Sequence, residues 1–247
     1  MPPAAGEFIG TALLVLLGNG VVAGALLTGT KSHGAGWMAI TAGWAFGVFV
    51  AVFCVAGTSG AHINPAITIA FASLGIFPWD SVPSYIVAQL AGAFTGAAFV
   101  WLAYWAHWPR TEEADLKRAA FCTSPAVRCH PANFLTEAIG TFVLVFGVLA
   151  MKTASAGPLD GSVVPVDLGA LGALPVALLV WGIGLSLGGP TGYAINPARD
   201  LGPRVAYAVL PVAGKGPADW AYAWVPVFGP VVGGLLAAGA YAALGRF

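Results

Sequence analysis

Long apolar stretches without a charged residue dominate the chain and predict membrane-spanning helices. Asp, Glu, Lys and Arg are absent from residues 8–30, 32–79, 81–109, 168–198 and 220–245. A helix needs roughly 20 apolar residues to cross the hydrocarbon core of a bilayer. The run 32–79 is too long for one span, and Gly57–His62 and Pro65 interrupt it. With further helices predicted over about 134–154 and 170–188, the pattern indicates six spans.

Two motifs recur at nearly the same spacing and indicate an internal duplication. Glu7–Thr11 is repeated as Glu137–Thr141, 130 residues later, and Ile63–Ala66 is repeated as Ile195–Ala198, 132 residues later. Each half contains three predicted spans, so the second half must enter the membrane from the opposite side. The sequence therefore predicts an inverted repeat with its functional site at the repeat interface, near the middle of the bilayer.

The repeated Asn-Pro pairs predict two short helices that do not span. Asn is a favoured N-cap residue, and Pro is tolerated in the first turn, where its missing N–H has no intrahelical partner. We expect half-helices over Pro65–Ser73 and Pro197–Tyr207, with Asn64 and Asn196 facing one cavity. The residues that lead into them would present carbonyl oxygens to that cavity, because bare backbone is tolerated at this depth only where protein or water satisfies it.

Composition excludes several classes of protein. Only 8% of the 247 residues are charged, 58% are hydrophobic, and the formal net charge is zero. An ordinary soluble domain has about 25% charged residues. These values exclude a soluble enzyme, a disordered chain and a nucleic-acid-binding protein, which would need a basic surface.

In these motifs the chain resembles the major intrinsic protein family, the aquaporins and glycerol facilitators. The resemblance rests on Ser59–Ala66, Gly192–Asp200, Ala88–Gly92, Glu7 and Glu137. It implies an all-α membrane protein with six transmembrane helices and two half-helices in an inverted 3+3 repeat. It also implies one channel domain over residues 1–247, with repeats over about 4–108 and 134–245 and a connecting loop over about 106–133.

The resemblance further implies an assembly and a location. A homotetramer with one pore per protomer is expected in the plasma (inner) membrane, with both termini cytoplasmic and without a cofactor. The Lys and Arg count disagrees with this orientation, because two lie in the segments that would be cytoplasmic and eight in those that would be external. We retain the orientation that the family implies, since the resemblance extends over the whole chain.

The resemblance also assigns roles to individual residues. The pore motifs would be Asn64, Pro65, Ala66, Asn196, Pro197 and Ala198, and the selectivity ring would be Trp44, Gly184, Tyr193 and Arg199. In that ring, Gly184 would leave room for a solute wider than water, and Arg199 would donate hydrogen bonds and oppose cations. Supporting roles are implied for Glu7, Glu137, His62, Gln89 and Asp200.

Several positions are similar to the glycerol branch of the family, among them Asp200, Arg204, Pro226 and Val227. They favour a passive channel for glycerol and other small uncharged solutes, with some water, that excludes protons and ions. Tyr193 replaces the Phe common in that branch. It leaves open a channel whose main cargo is another neutral molecule, such as protonated lactic acid.

Alternatives from other classes remain at this point. A coupled secondary transporter would need a titratable pair in the pathway, and a structural membrane protein would have lost conduction. Catalysis is not expected, because no nucleophile–base set stands near the predicted cavity. Cys122 and Cys129 lie in the polar segment 106–133 as a disulfide or as free thiols; a zinc site that adds His130 is disfavoured.

Overall fold

Six helical stretches of the structure are long and apolar enough to cross a membrane. The structure is a computed structural model that describes residues 1–151, 155–156, 164–166 and 168–245. The helices are α1 (Pro3–Leu26), α2 (Gly36–Ser59), α3 (Pro65–Ser73), α4 (Val82–Ala103), α5 (Ala114–Ala119), α6 (His130–Ala150), α7 (Leu174–Leu187), α8 (Pro197–Val209) and α9 (Trp224–Ala243). The strands β1 (Ser155–Ala156) and β2 (Val164–Pro165) form one short antiparallel pair between α6 and α7. The predicted fold of six transmembrane helices and two half-helices is confirmed.

The helix boundaries differ from the predicted ones by a few residues. The fourth span, predicted over 134–154, begins at His130, because Pro131 is accommodated in the first turn, and it ends at Ala150. The fifth span is a 3-10 turn over Gly169–Ala173 that continues into α7. The second half-helix continues two residues beyond the predicted Tyr207 and ends at Val209.

The two halves pack in the same way, and the half-helix of each half packs against the other half. In the first half, α1 packs against α2 and α4; in the second, α6 packs against α7 and α9. The half-helix α3 lies against α9, and α8 lies against α4, so each half-helix contacts the last span of the other half. These contacts hold both half-helices at the interface between the repeats.

Small residues allow the first and last spans of a half to touch backbone to backbone. A Cβ atom on Gly92 or Gly96 of α4 would overlap the carbonyl oxygen of Phe8 or Ala12 of α1. Such small-xxx-small pairs are common where membrane helices approach closely.

Both segments that lead into the half-helices have the same strained backbone. Gly60 and Gly192 have a φ of +80°, and Ile63 and Ile195 have φ of +43° and +42°. A β-branched residue in this region is a conformational outlier, and each such residue costs about 1–3 kcal/mol unless its surroundings hold it there. These φ angles turn the backbone before each half-helix, so that the carbonyl oxygens of Ile63 and Ile195 face the centre of the molecule.

Candidate functional site

The two half-helices meet at their N-termini through the side chains of Asn64 and Asn196. Each side-chain oxygen caps its own helix: Oδ1 of Asn64 accepts from Ala66 N at 2.9 Å, and Oδ1 of Asn196 accepts from Ala198 N at 3.0 Å. Nδ2 of Asn64 donates to Ile195 O, and Nδ2 of Asn196 donates to Ile63 O, both at 2.8 Å. An amide nitrogen carries two hydrogens, so each Asn keeps a second N–H after this exchange.

Glu7 of α1 holds the first lead-in segment. Its carboxylate accepts hydrogen bonds from the backbone N–H of His62 at 3.0 Å and of Ile63 at 2.6 Å. The Ser59 hydroxyl and the Gln89 side-chain amide donate to the same carboxylate, each at 2.7 Å. Glu7 and Gln89 are fully buried, and Gln89 donates to Glu7 and to the Thr68 hydroxyl of α3, so both residues brace the start of the half-helix.

Glu137 of α6 holds the second lead-in segment in the same way. Its carboxylate accepts from Ala194 N at 3.0 Å and from Ile195 N at 2.8 Å. These hydrogen bonds keep the strained residues in place and leave their carbonyl oxygens directed to the centre of the molecule.

Asp200 ties the segment between α4 and α6 to the half-helix α8. Its Oδ2 accepts from the Thr123 backbone N–H at 2.7 Å and from the Thr123 hydroxyl at 2.6 Å. Its Oδ1 pairs with Arg204, which also donates to Ala218 O at 2.7 Å and to Thr123 O at 2.9 Å. Both side chains of this ion pair are fully buried, so Asp200 positions a loop and lies outside the open space.

Two cavities lie along the axis between the half-helices and the segment 119–126. The central cavity, of about 70 Å³, is lined by Leu14, Val48, Val52, Ala61, His62, Ile63, Asn64, Ile67, Leu144, Val176, Val180, Ala194, Ile195, Asn196, Trp44, Tyr193 and Arg199. The loop cavity, of about 290 Å³, is lined by Val22, Leu26, Trp37, Ile40, Ala119, Cys122–Ala126, Gly189, Gly192, Trp44, Tyr193 and Arg199. Trp44, Tyr193 and Arg199 belong to both linings and therefore form the junction between the two cavities.

The junction combines aromatic faces with hydrogen-bond donors. The Arg199 guanidinium lies 3.9 Å from the centre of the Trp44 ring, a cation–π contact. Arg199 makes one side-chain hydrogen bond among the described residues, from Nη2 to Gly192 O at 3.5 Å. Trp44 Nε1 and Tyr193 Oη are buried and have no hydrogen-bond partner in the described part of the chain. Arg199 thus keeps N–H donors for a solute, next to the ring surfaces of Trp44 and Tyr193.

Gly184 lies behind the Tyr193 ring and is not among the residues that line either cavity within the described ranges. A Cβ atom on Gly184 would lie 2.9 Å from Tyr193 Cζ, so the missing side chain makes room for that ring and not for a solute. The Gly184 carbonyl oxygen, expected to face the solute, accepts a hydrogen bond from Trp37 Nε1 at 3.0 Å.

His62 stands at the other end of the central cavity. Its Nδ1 lies 3.1 Å from the Thr68 hydroxyl, and its ring lies within about 5 Å of the rings of Phe71, Phe77 and Tyr85. The ring is 6% exposed and is fixed on three sides by aromatic neighbours.

The three cysteines are free thiols in the structure, which does not join Cys122 and Cys129 in a disulfide. Cys122 is buried against the loop cavity, whereas Cys129 is exposed at the start of α6. Burial raises the pKa of the Cys122 thiol to about 12. Among the described residues, no group of three or more His, Cys, Asp or Glu side chains could hold a metal ion.

Trp37 is the functional candidate that the sequence analysis missed. It donates to Gly184, its ring meets the Tyr193 ring edge-on at 5.8 Å, and it lines the loop cavity. Its position two helical turns before Trp44 places both on one face of α2, and this spacing could have identified it.

Comparison with known proteins agrees with this geometry. The family model of the major intrinsic proteins matches residues 3–241. A "probable glycerol uptake facilitator protein" of Thermotoga maritima is 54% identical over 95% of this chain and 96% of its own length. A D/L-lactic acid transporter of Lactiplantibacillus plantarum is 41% identical over 94% of this chain and 93% of its own length. The X-ray structure of the aquaglyceroporin from Plasmodium falciparum superimposes with a TM-score of 0.81 at 30% identity, covering 96% of this chain and 93% of that one. The chain is a multi-pass membrane protein that belongs to the major intrinsic protein family.

Proposed function

We propose that this chain is a passive channel for glycerol and other small uncharged solutes, with some water, that excludes protons and ions. The observation that carries the proposal is the junction of Trp44, Tyr193 and Arg199 between two cavities. The glycerol uptake facilitator of Thermotoga maritima and the aquaglyceroporin structure support glycerol as the solute.

The junction suits a molecule with a carbon backbone and hydroxyl groups. The faces of Trp44 and Tyr193 would contact the carbon atoms, while the free N–H groups of Arg199 would donate to the hydroxyl oxygens. Partial replacement of the hydration shell lets a neutral polyol enter, whereas an inorganic cation would lose its hydration next to a guanidinium.

The central cavity would oppose protons and cations a second time. The remaining N–H groups of Asn64 and Asn196 would donate to each passing oxygen. The N-termini of α3 and α8 both point to this place and contribute partial positive charge. A hydronium ion is repelled there, while a neutral solute is not.

Osmotic measurements test the proposal directly. Purified protein in proteoliposomes should accelerate re-swelling in glycerol, measured by stopped-flow light scattering, well above the rate of empty vesicles. The same vesicles should hold an imposed proton gradient. Glycerol permeability equal to that of empty vesicles would contradict the proposal.

A second cargo is favoured by one relative and one residue. The L. plantarum relative is a D/L-lactic acid transporter, and Tyr193 of this chain brings a hydroxyl to the junction. Protonated lactic acid is small and neutral, so it would satisfy the same constraints as glycerol. Lactic acid uptake that rises as the pH falls toward the pKa of the acid, and that exceeds glycerol uptake, would favour this cargo.

We further propose the assembly and setting that the family implies. The chain would act as a single channel domain in a homotetramer, with one pore per protomer, in the plasma (inner) membrane and with cytoplasmic termini. Its exposed apolar side chains on the spanning helices would contact lipid and neighbouring protomers. In this role the chain is a channel and not an enzyme.

A further inference from the structure

The two arginines of half-helix α8 are both buried, but only one of them is neutralised. Arg204 pairs with Asp200 at 2.8 Å and also donates to three backbone carbonyls. Arg199 is 7% exposed, and no carboxylate of the described residues forms an ion pair with it. A guanidinium carries five N–H donors, so most of those of Arg199 are free.

The acidic residues near Arg199 are already engaged. Asp200 forms an ion pair with Arg204 and accepts a hydrogen bond from Thr123. Glu137 accepts hydrogen bonds from the backbone N–H groups of Ala194 and Ile195. Uncompensated charge is costly in a low-dielectric interior. Arg199 therefore forms no direct ion pair on the floor of the loop cavity among the described residues.

The other polar groups at this floor are donors as well. Trp44 and Tyr193 are 3% and 4% exposed, line the loop cavity, and have no hydrogen-bond partner for Nε1 and Oη among the described residues. An indole N–H can only donate. Both atoms are enclosed by protein, so a ligand at this floor meets the donors of Arg199 and the ring surfaces of Trp44 and Tyr193.

The end of the molecule that contains the loop cavity has a net positive charge. The connections 27–35, 104–129 and 188–223 share one end of the molecule, as hydrogen bonds from Thr28 to Thr111 and from Lys117 to Ala213 show. These segments contain eight Lys and Arg against five Asp and Glu. Excess charge of one sign around a cavity raises the local concentration of ligands of the opposite sign.

We propose that the loop cavity binds a small monocarboxylate anion on Arg199 and that the bound anion blocks the channel. The carboxylate would accept from the guanidinium, in the bidentate geometry that arginine favours. Its carbon atoms would lie against the apolar wall of Val22, Leu26 and Ile40. The anion stops at the junction, because in the narrow and largely apolar central cavity the carboxylate would lose both its contact with Arg199 and its hydration.

The test compares glycolate with glycolamide, an uncharged analogue of similar size, at one pH. Glycerol permeability of proteoliposomes is measured with either compound on both sides of the membrane, which makes channel orientation irrelevant. Glycolate should reduce glycerol permeability in a concentration-dependent way, whereas glycolamide, and chloride at equal ionic strength, should not. Equal inhibition by glycolamide or chloride, or no inhibition by glycolate, would overturn the proposal.

A substitution locates the bound anion. Arg199→Lys keeps the positive charge but loses the paired N–H donors, so the glycolate concentration for half-inhibition, measured against each channel's own uninhibited permeability, should rise about tenfold or more. An unchanged value would place the anion elsewhere. The block rests on the proposed glycerol conduction, but binding does not. Line broadening of ¹³C-glycolate by the solubilised protein measures binding alone, so it would persist if the protein did not conduct glycerol. It therefore distinguishes a failure of the proposed anion binding from a failure of the proposed glycerol conduction.

Discussion

At the scale of single residues, the junction depends on side chains that are absent as much as on those present. Trp44 fits because Gly18 on α1 has no side chain, since a Cβ there would overlap the indole ring. Tyr193 fits because Gly184 and Gly188 leave room for its ring. These glycines determine where the two aromatic rings lie and therefore how wide the junction between the cavities is.

The first prediction concerns Gly184→Ala. The new Cβ would lie 2.9 Å from Tyr193 Cζ and 3.0 Å from Thr41 Cγ2, and the ring must move toward the junction. Glycerol permeability per channel should fall by about tenfold or more, equivalent to about 1.4 kcal/mol in the barrier, and water permeability should fall less. Both are measured by stopped-flow light scattering.

Gly182→Ala is the matched control, because a Cβ on Gly182 of the same helix meets nothing within 4 Å. It should leave both permeabilities unchanged. A Gly184→Ala channel with the native ratio of glycerol to water permeability would show that the Tyr193 ring does not set the width.

The second prediction concerns Trp37→Phe. The substitution removes the 3.0 Å hydrogen bond to Gly184 O, and the smaller ring makes less edge contact with Tyr193. The Tyr193 ring gains freedom, and the permeability of erythritol relative to glycerol should rise about two- to tenfold, which corresponds to one ordinary hydrogen bond. Trp105→Phe is the control, because Trp105 is 58% exposed and lines neither cavity of the described chain. An unchanged solute ratio in Trp37→Phe would remove Trp37 from the junction.

At the scale of elements, the sequence predicted the half-helices well and their surroundings only in part. Asn64-Pro65 and Asn196-Pro197 combine a cap with a first-turn proline, a local signal that fixes the start of a helix. The surroundings of Gly184, whose carbonyl oxygen accepts from Trp37 and does not face a solute, could not be predicted in this way. Its environment depends on Tyr193 and Trp37, which lie on other elements, and no local pattern encodes how three elements pack.

The third prediction concerns the buried pair that holds the connecting segment on α8. Asp200→Asn leaves Arg204 charged and buried, and Arg204→Met leaves Asp200 with only its bonds to Thr123. Each single variant should lower the free energy of unfolding by about 3–5 kcal/mol, because it leaves one buried charge without its partner. Thermal unfolding in detergent measures the change.

The double variant provides the control for this pair. Removing both charges avoids an uncompensated ion, so its loss of stability should be smaller than the sum of the single losses by about 1 kcal/mol or more. Strict additivity would mean that the two side chains contribute independently, and the ion pair would then not explain how the segment is held.

At the scale of the whole molecule, the charges are distributed unevenly between the two ends. Eight of the ten Lys and Arg lie in the connections 27–35, 104–129 and 188–223. The statistical preference of Lys and Arg for the cytoplasmic side would place this end inside, whereas the family orientation places it outside. The structure accounts for part of the excess: Lys117 and Arg204 are buried and bond to backbone carbonyls, so they hold loops together. Such residues are needed for packing whichever side they face.

The last prediction decides the orientation through Cys129, which is exposed at the charged end of the molecule. A membrane-impermeant maleimide reacts with accessible thiolates. It should label intact cells at Cys129 if this end is external, and Cys129→Ser should abolish the labelling. Cys122 should stay unlabelled, because burial raises its pKa to about 12, and Cys54 lies within the span α2. Labelling only after permeabilisation would reverse the orientation and support the Lys and Arg count. Labelling only after reduction would show that Cys129 is oxidised in cells, in contrast to the free thiol of the structure.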